Sequence, residues 1–304
     1  MNDDRLGDVE CLVPASLADR IRSYHAAGTA WLQDLPELIA SCVSRWDLTL
    51  LPAFEPGGDS SWTAPVLQRS GQSAVLQLTV PMPVHHEHVS ALRAWEGRGA
   101  VRLFAHDAAI RATLMERCLP GTDAAGLPPE QADDVAVEVL PQLWSAPPPE
   151  VSVEPLAAAA LHRAHVMDGR ADQFAEIVDP GLFREAARLF RSLPAAPVRT
   201  VLLHGDFHRR NVLLSERGWL AVDPSASIGD PAFDVAMFLQ HDMQTPATTA
   251  RADSLADRLG LDRQRTREWL FALTTQTASW HLSIGDRPMH DTYVRAASTL
   301  LSAR

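Results

Sequence analysis

The 304-residue sequence contains no lysine, since all 27 of its basic residues are arginine. No lysine ammonium of this protein can therefore bind a phosphate or form a Schiff base. Acidic residues number 38, and the formal net charge is −11. That charge disfavours binding to a nucleic-acid backbone, although it would suit a cationic small molecule if the acidic residues gather at a cleft.

Cysteines and long apolar runs are also scarce. The three cysteines, Cys11, Cys42 and Cys118, stand singly, which argues against a disulfide framework or a zinc site and fits a reducing compartment. The N-terminus is acidic, and no apolar run approaches the length that spans a bilayer. We therefore expect a soluble, cytoplasmic protein that binds neither nucleic acid nor membrane. The sequence leaves monomer and dimer open.

The first part of the chain has the pattern of two helices followed by an antiparallel sheet. Apolar residues recur at helical spacing from Pro14 to about Trp46, with Pro14 and Pro36 near predicted helix starts. A further helix is predicted from His85 to about Trp95. Short runs, several joined by glycine-containing turns, predict about five strands: Leu48–Phe54, Ser61–Leu67, Ser73–Val80, Val101–Ala105 and Ala112–Arg117.

Helical periodicity dominates the chain beyond Cys118. The sequence therefore predicts an α+β fold of two lobes. Residues 1–118 form an N-terminal lobe with leading helices, an antiparallel sheet and one further helix, and residues 119–304 form a mainly helical C-terminal lobe. In the N-terminal lobe, Gly57-Gly58 could let the backbone approach a phosphate closely, but a plain hairpin turn explains the pair equally well.

One stretch carries the clearest chemistry. Val201–Leu214 reads as an apolar run, a polar loop and a second apolar run, which predicts a strand, a loop and a strand. The loop presents Asp206 and Asn211, and Asp223 follows at the end of the next apolar run. Three oxygen-bearing side chains could thus converge, as needed to hold Mg²⁺ and orient a hydroxyl group. The alternative is a buried, hydrogen-bonded turn.

The loop His204-Gly205-Asp206-Phe207-His208-Arg209-Arg210-Asn211 resembles the catalytic loop of the aminoglycoside phosphotransferases, small-molecule kinases with a protein-kinase-like fold. Other segments are similar to the streptomycin 6-phosphotransferase and hydroxyurea phosphotransferase branch of that family: Ala91–Leu103, Leu114–Gly121 and Gly229–Ala236. The resemblance covers about residues 45 to 300, and it implies a two-lobed kinase that uses ATP and Mg²⁺.

The resemblance also implies roles for individual residues. Asp206 would accept or orient the proton of the substrate hydroxyl, while Asn211 and Asp223 would hold Mg²⁺ on the nucleotide phosphates. The backbone of a connecting segment would meet the adenine: Glu116, Arg117 and Cys118. We expect His204 to fix the loop, and Asp230 and Asp234 to cap a helix and brace the loop.

The sequence departs from the family pattern at the nucleotide phosphates. Members carry Ala-Val-Leu-Lys where this chain has Ala74-Val75-Leu76-Gln77, and strand alternation points Gln77 away from the leucine face. The helix residue that should be a glutamate paired with that lysine aligns with His88 or Glu87. Loss of one charge-assisted phosphate contact costs on the order of 2–3 kcal/mol, or roughly a hundredfold in rate. Arg69 or Arg93 could compensate if either reaches the cleft.

Three functional hypotheses follow. The first is a kinase that transfers the γ-phosphoryl group of ATP to a hydroxyl of a streptomycin-class antibiotic or to hydroxyurea. The second is a catalytically impaired relative that binds nucleotide or drug without turnover, and the third is a kinase of a biosynthetic metabolite. A cationic substrate could use Asp230 and Glu268, with Trp280 or Trp269 as a wall, although packing or solvated-surface roles are favoured for these side chains.

Overall fold

The computed structural model describes residues 12–81, 85–147, 153–195, 197–242 and 248–302. Within these ranges the chain forms ten α-helices and nine β-strands, and no described helix is both long and apolar enough to cross a bilayer. Cys11 lies outside the described residues, whereas Cys42 and Cys118 are free and buried.

Two helices precede the sheet, as predicted. Helix α1 spans Ala15–Tyr24, and helix α2 spans Gly28–Arg45, with its apolar residues buried at helical spacing. The expected helix start at Pro36 is wrong, because Pro36 lies inside α2. A proline there removes one backbone hydrogen bond to the preceding turn, and the burial of residues on both sides of it, such as Leu35 and Ile39, keeps the helix continuous.

The predicted sheet is present, with five antiparallel strands in the order β1-β2-β3-β5-β4. Their bounds are β1 (Leu48–Leu50), β2 (Ser61–Gln68), β3 (Ser73–Thr79), β4 (Leu103–Asp107) and β5 (Ala112–Glu116). Helix α3 (His85–Trp95) lies between β3 and β4 in the chain. The first strand is shorter than predicted, so residues 51–60 form a loop that leads into β2.

Two separate apolar cores include side chains of the sheet. The smaller core joins α1 and α2 to side chains of the strands, including Leu76 and Leu78 of β3. The larger core includes the buried residues of α3, among them Trp95, together with the helices that follow the sheet. Helix α3 thus belongs to the N-terminal lobe by chain order but packs its buried residues into the larger core.

The remainder of the described chain is mainly helical, as predicted. Its helices are α4 (Pro129–Trp144), α5 (Leu156–Gln173), α6 (Pro180–Ser192), α7 (Ala232–Gln240), α8 (Thr248–Leu259), α9 (Arg263–Ser283) and α10 (Arg287–Ser302). Two small antiparallel pairs interrupt them. Strand β6 (Val201–Leu203) pairs with β9 (Ser227–Gly229), and β7 (Val212–Ser215) pairs with β8 (Gly218–Ala221). The predicted strand, loop and strand are therefore β6, residues 204–211, and β7.

Candidate active site

The loop between β6 and β7 is held against the segment that follows β8. Gly205 has φ +79°, and a Cβ atom built there would lie 1.9 Å from the carbonyl oxygen of Ser225. Only glycine allows both the left-handed backbone and this close approach. Asp206 and Asp223 are consequently brought to the same side of the structure by packing of their two backbone segments.

Asp234 fixes the start of this loop from helix α7. Its buried carboxylate accepts hydrogen bonds from the backbone N–H groups of His204 (3.0 Å) and Gly205 (2.9 Å), and from the indole N–H of Trp144 (3.0 Å). Burial raises the pKa of Asp234 to about 6, although the three hydrogen bonds act in the opposite direction. The bracing role expected for Asp234 is what these contacts provide.

His204 is completely buried beneath the loop. Its ring stacks on Trp95 at 6.0 Å between centroids and meets Phe207 edge-on at 5.6 Å. Nε2 lies 3.0 Å from the carbonyl oxygen of Val222, and Nδ1 lies 3.4 Å from the backbone N of Asp206. This arrangement requires a neutral ring that donates through Nε2, and burial lowers the pKa of His204 to about 4. His204 therefore orients the loop rather than transferring protons.

Asp206 and Asn211 face one another across the loop. The amide nitrogen of Asn211 donates to the backbone oxygen of Asp206 at 3.1 Å and to its carboxylate at 3.4 Å, which leaves the amide oxygen of Asn211 available as a ligand. Burial alone would raise the pKa of Asp206, but His208, whose Nε2 lies 3.6 Å from the carboxylate, holds that pKa below its usual value. Asp206 is thus an ionised acceptor at neutral pH.

Asp223 completes the predicted set. It has φ +56°, and its side chain is 60% exposed. Gln77 Nε2 lies 3.5 Å from one carboxylate oxygen of Asp223, and His88 Nδ1 lies 4.0 Å from the same oxygen. Of the two helix residues that the sequence offered, His88 is therefore the one that faces Asp223, where burial lowers the pKa of His88.

These donors suit Mg²⁺ bound together with a nucleotide. Asn211 and Asp223 supply one amide oxygen and one exposed carboxylate, and Mg²⁺ at phosphates is commonly held by one or two protein oxygens plus phosphate oxygens and waters. Within the described chain there is no group of three or more His, Cys, Asp or Glu residues that could hold a metal without such help. The arrangement fits a metal that arrives with its nucleotide.

A cavity of about 400 Å³ extends from Asp223 towards the end of β5. Its lining includes the nucleotide-site residues predicted from the sequence: Gln77, Glu116, Arg117, Cys118, Asn211 and Asp223. Gln77 is buried on β3, where it donates to Ser61 Oγ (3.1 Å) and accepts from Thr113 Oγ1 (3.4 Å). The position expected to hold a cationic side chain therefore holds a neutral, hydrogen-bonded amide.

Glu116 begins the connecting segment at the far end of this cavity, and hydrogen bonds hold its carboxylate in place. The Glu116 carboxylate accepts two hydrogen bonds from Arg217 (2.8 and 2.6 Å) and one from the backbone N–H of Arg102. Burial would raise the pKa of Glu116, but Arg217 brings it below the usual value. The backbone N–H and C=O groups of Cys118 have no hydrogen-bond partner in the described chain. Those groups are available to a flat, polar ring such as adenine.

Arg69 and Arg93 do not replace the missing charge at Gln77. Arg69 is 89% exposed in the β2–β3 turn and lies 3.8 Å from Asp47. Arg93 contacts the ring of His106 on β4 at 3.0 Å. Neither arginine lines the cavity, because both are directed towards neighbouring surface residues.

A second cavity, of about 430 Å³, lies on the other side of the catalytic loop. It is lined by Ala125, His208, Arg209, Arg210, His241 and Asp242. Asp242, the carboxylate of this described lining, is paired with Arg209 and with Arg251 (3.1 Å). Arg210 is exposed and makes no ion pair with any described residue. The cavity therefore has an excess of positive charge close to Asp206.

Asp230 makes the contacts of the helix cap that the sequence predicted, and not those of the alternative, a substrate contact. Its carboxylate is 3% exposed and is occupied by Arg265, by the indole N–H of Trp269 (2.7 Å) and by the backbone N of Ala232. Trp269 is itself buried in the larger core. Both residues stabilise the start of α7 instead of forming a substrate wall.

Glu268 and Trp280 lie on α9 and do not line either cavity of the described chain. Glu268 accepts a hydrogen bond from Gln264, and the exposed ring of Trp280 contacts His281 edge-on at 4.8 Å. Sequence reasoning missed Arg163 of α5. Its guanidinium lies over Phe233, donates to Gln276 at 2.7 Å and interacts electrostatically with Asp206.

Comparison with known proteins agrees with this geometry. A family model described as aminoglycoside/hydroxyurea antibiotic resistance kinase matches residues 45–285. The chain is 32% identical over 295 residues to a hydroxyurea phosphotransferase of Kitasatospora aureofaciens, covering 95% of this chain and 86% of that protein. It is 33% identical over 300 residues to a streptomycin 6-kinase of Streptomyces griseus, covering 95% and 96%.

Solved structures share the fold at low sequence identity. A choline kinase from Streptococcus pneumoniae superposes with a TM-score of 0.64 at 14% identity, covering 88% of this chain and 99% of that one. An aminoglycoside phosphotransferase solved with ADP and hygromycin B gives a TM-score of 0.59 at 14% identity, covering 86% and 97%. The predicted two-lobed, protein-kinase-like fold is confirmed.

Proposed function

The chain belongs to the aminoglycoside/hydroxyurea antibiotic resistance kinases and is an ATP-dependent phosphotransferase that acts on a hydroxyl group, and we propose that it is catalytically active despite Gln77. The observation that supports activity is the complete catalytic side of the site. Asp206 is ionised, Asn211 bridges to it, and Asp223 stands exposed at the nucleotide cavity. A protein that only binds its ligands does not need all three of these side chains placed at one site.

Asp206 orients the acceptor hydroxyl in this proposal. Its lowered pKa makes it a weak base, which suits a loose phosphoryl-transfer transition state, where alignment matters more than early proton removal. Asn211 and Asp223 hold Mg²⁺, which when bound neutralises charge on the phosphates. His204 and Asp234 keep the loop in place from beneath. The chain thus supplies position, and little covalent chemistry is required of it.

The nucleotide is proposed to lie in the cavity between Asp223 and the connecting segment. The unpaired backbone groups of Cys118 are proposed to meet its adenine end. Burial raises the pKa of the Cys118 thiol to about 11, so this residue lines the pocket as a neutral group. We place the boundary between the lobes within the same segment, after residue 118.

The acceptor is proposed to enter the cavity lined by His208 and Arg210. The named relatives act on streptomycin and on hydroxyurea, and these remain the two acceptors that we propose. The described lining has one carboxylate, Asp242, and it is paired with Arg209 and with Arg251, so apart from the catalytic Asp206 the described lining offers a cation no unpaired acid. We therefore favour the uncharged hydroxyurea, because a cationic aminoglycoside would also meet Arg210.

The test is direct. Purified protein is incubated with MgATP and streptomycin, other aminoglycosides or hydroxyurea, and both ADP and phosphorylated product are measured. We expect product with at least one acceptor, and its loss in Asp206→Asn. Asp257→Asn, which alters an exposed carboxylate paired with Arg263, serves as the matched control and should retain activity.

Absence of product with every acceptor, together with tight MgATP binding, would favour the binding-only alternative. Product formed equally by the Asp206 variant would contradict the role of that residue. The third hypothesis, a kinase of a biosynthetic metabolite, predicts ATP turnover with a hydroxyl compound outside this panel. Oligomeric state is measured in the same preparation, since monomer and dimer are both compatible with the proposal.

A further inference from the structure

Helix α1 holds the loop that covers the nucleotide cavity. The guanidinium of Arg20 donates to three consecutive carbonyl oxygens of that loop, those of Pro56, Gly57 (3.1 Å) and Gly58 (3.3 Å). Its Nε also lies 3.0 Å from the carboxylate of Asp59. One side chain therefore contacts four successive residues of the loop.

Further contacts of α1 and its end reinforce this attachment. Ser16 Oγ donates to the carbonyl oxygen of Pro56 at 3.3 Å, and His25 Nε2 lies 3.0 Å from the carbonyl oxygen of Asp59. A Cβ atom on Gly57 would contact Leu17 at 3.7 Å. The residues that hold the loop, from Ser16 to His25, precede residue 45, where the match to the family model begins.

The direction of the three carbonyl groups determines where the loop N–H groups point. In a trans peptide the C=O of one residue and the N–H of the next point in opposite directions. Since the carbonyls of residues 56–58 converge on Arg20, the N–H groups of Gly57, Gly58 and Asp59 point away from α1. None of the three has a hydrogen-bond partner in the described chain. Gly58 itself lines the nucleotide cavity, as do the loop residue Phe54 and the following Ser61.

We propose that Arg20 is a positioning residue for the nucleotide, because it fixes three backbone N–H groups in the orientation that binds a phosphate. Successive free N–H groups form a concave anion site. This inference rests on the proposed nucleotide site. It also supplies donors to phosphate in a chain that has no lysine and carries a neutral Gln77. Arg20 acts through the loop, since its own charge is engaged by Asp59 and by the carbonyl oxygens.

An arginine suits this role better than a shorter or single donor. Its planar guanidinium places Nη2 at the three carbonyl oxygens and Nε at the carboxylate of Asp59, so one side chain makes both sets of contacts. A lysine offers one nitrogen, which can keep the carbonyl contacts or the ion pair with Asp59 but not both. We therefore expect Arg20→Lys to lie between the unaltered protein and Arg20→Ala.

The first experiment measures binding of MgADP and MgATP by calorimetry to the full chain and to Arg20→Ala, with Arg22→Ala as the control. Arg22 lies on the same helix and is 54% exposed. Ordering a few residues costs about 1–2 kcal/mol each, so Arg20→Ala should raise both dissociation constants about tenfold or more. The control should change them less than twofold. The Michaelis constant for the acceptor should not change.

The second experiment measures NMR order parameters of the backbone N–H groups of Gly57, Gly58 and Asp59 without nucleotide, which report on the rigidity of the loop itself. Lower order parameters confined to this loop in Arg20→Ala, with the unfolding midpoint retained, support positioning. Equal nucleotide affinity in the two folded proteins overturns the inference and leaves the proposed function intact. If the unaltered chain binds neither nucleotide, the proposed function fails first. An equal loss of affinity for the acceptor would show a general structural role and would also overturn the inference.

Discussion

Gln77→Lys is the substitution that best tests the nucleotide side of the site. Gln77 Nε2 already lies 3.5 Å from Asp223, so an ammonium at the end of a side chain only slightly longer can reach the same space. A charge-assisted hydrogen bond contributes about 1–1.5 kcal/mol more than a neutral one. Because 1.36 kcal/mol corresponds to a factor of ten, we expect MgATP to bind about five- to tenfold more tightly.

The same substitution should cost some stability. Gln77 is 6% exposed, and the lysine would lose the amide contacts to Ser61 and Thr113 that now fill this position. Asp223 can act as the counter-ion of the new lysine. A second carboxylate would stabilise the lysine further, but His88 occupies the neighbouring position on α3. We expect the free energy of unfolding to fall by about 1–2 kcal/mol, within the range for a lost buried hydrogen bond.

Calorimetry at low and at high ionic strength provides the assay, since the gain from an added charge should shrink as salt screens it. Gln72→Lys is the matched control, because it adds the same charge in the exposed β2–β3 turn. Unchanged or weaker MgATP binding in Gln77→Lys would refute the reasoning. It would mean that the site already has the phosphate donors it needs without a cation at this position.

Three further predictions concern the loop and the connecting segment. Gly205→Ala should lower the free energy of unfolding by about 3 kcal/mol or more, because its Cβ would meet a backbone oxygen at 1.9 Å. Gly260→Ala, with φ +66° and open space, should lose only about 1–2 kcal/mol in the same urea titration, and similar losses would contradict the close approach. His204 has its pKa lowered by burial to about 4 from about 6.5 in the unfolded chain. Its neutral form therefore contributes stability above pH 6.5 that is lost as the pH falls towards 4, about 3 kcal/mol in all. His204→Gln should flatten this part of the stability profile, and an unchanged slope would assign it to another group. Arg217→Ala should cost about 1 kcal/mol at pH 7 and raise the Michaelis constant for ATP. Since Arg217 lowers the pKa of Glu116, the cost should shrink as the pH falls below that pKa, leaving the part due to the carbonyl contacts with Gly97 and Ala100; a cost that does not change with pH would argue against an ionic contribution.

Local patterns in the sequence were sufficient to predict the sheet and the catalytic loop. Period-two alternation fixed which residues of β3 face the smaller core, and the short spacing of Asp206 and Asn211 indicated their shared role. Such signals lie within a few residues of one another, so periodicity and motif reading can detect them. The same reading placed Pro36 at a helix start, because it weighs proline preference and cannot see the packing that keeps α2 intact.

Contacts between distant parts of the chain were not predictable in this way. Arg217 and Glu116 are 101 positions apart, and Trp144 and Asp234 are 90 apart. Nothing in the local sequence of either partner indicates the other. Asp230 shows the same limit: the sequence offered both a helix cap and a substrate contact for it, and only the contacts of its carboxylate with Arg265 and Trp269 of α9 distinguish the two.

The tie between Glu116 and Arg217 has a mechanical consequence. Arg217 also donates to the carbonyl oxygens of Gly97 (3.0 Å) and Ala100 (3.4 Å), and Gly121 N–H donates to Leu214 at 3.0 Å. The connecting segment is thus hydrogen-bonded to the β7–β8 hairpin at both of its ends, Glu116 and Gly121. We expect these bonds to restrict motion at the adenine end of the cavity. We therefore expect the cavity to open for nucleotide at the opposite wall, where the loop of residues 56–59 is attached to α1 and its end through the side chains of Ser16, Arg20 and His25.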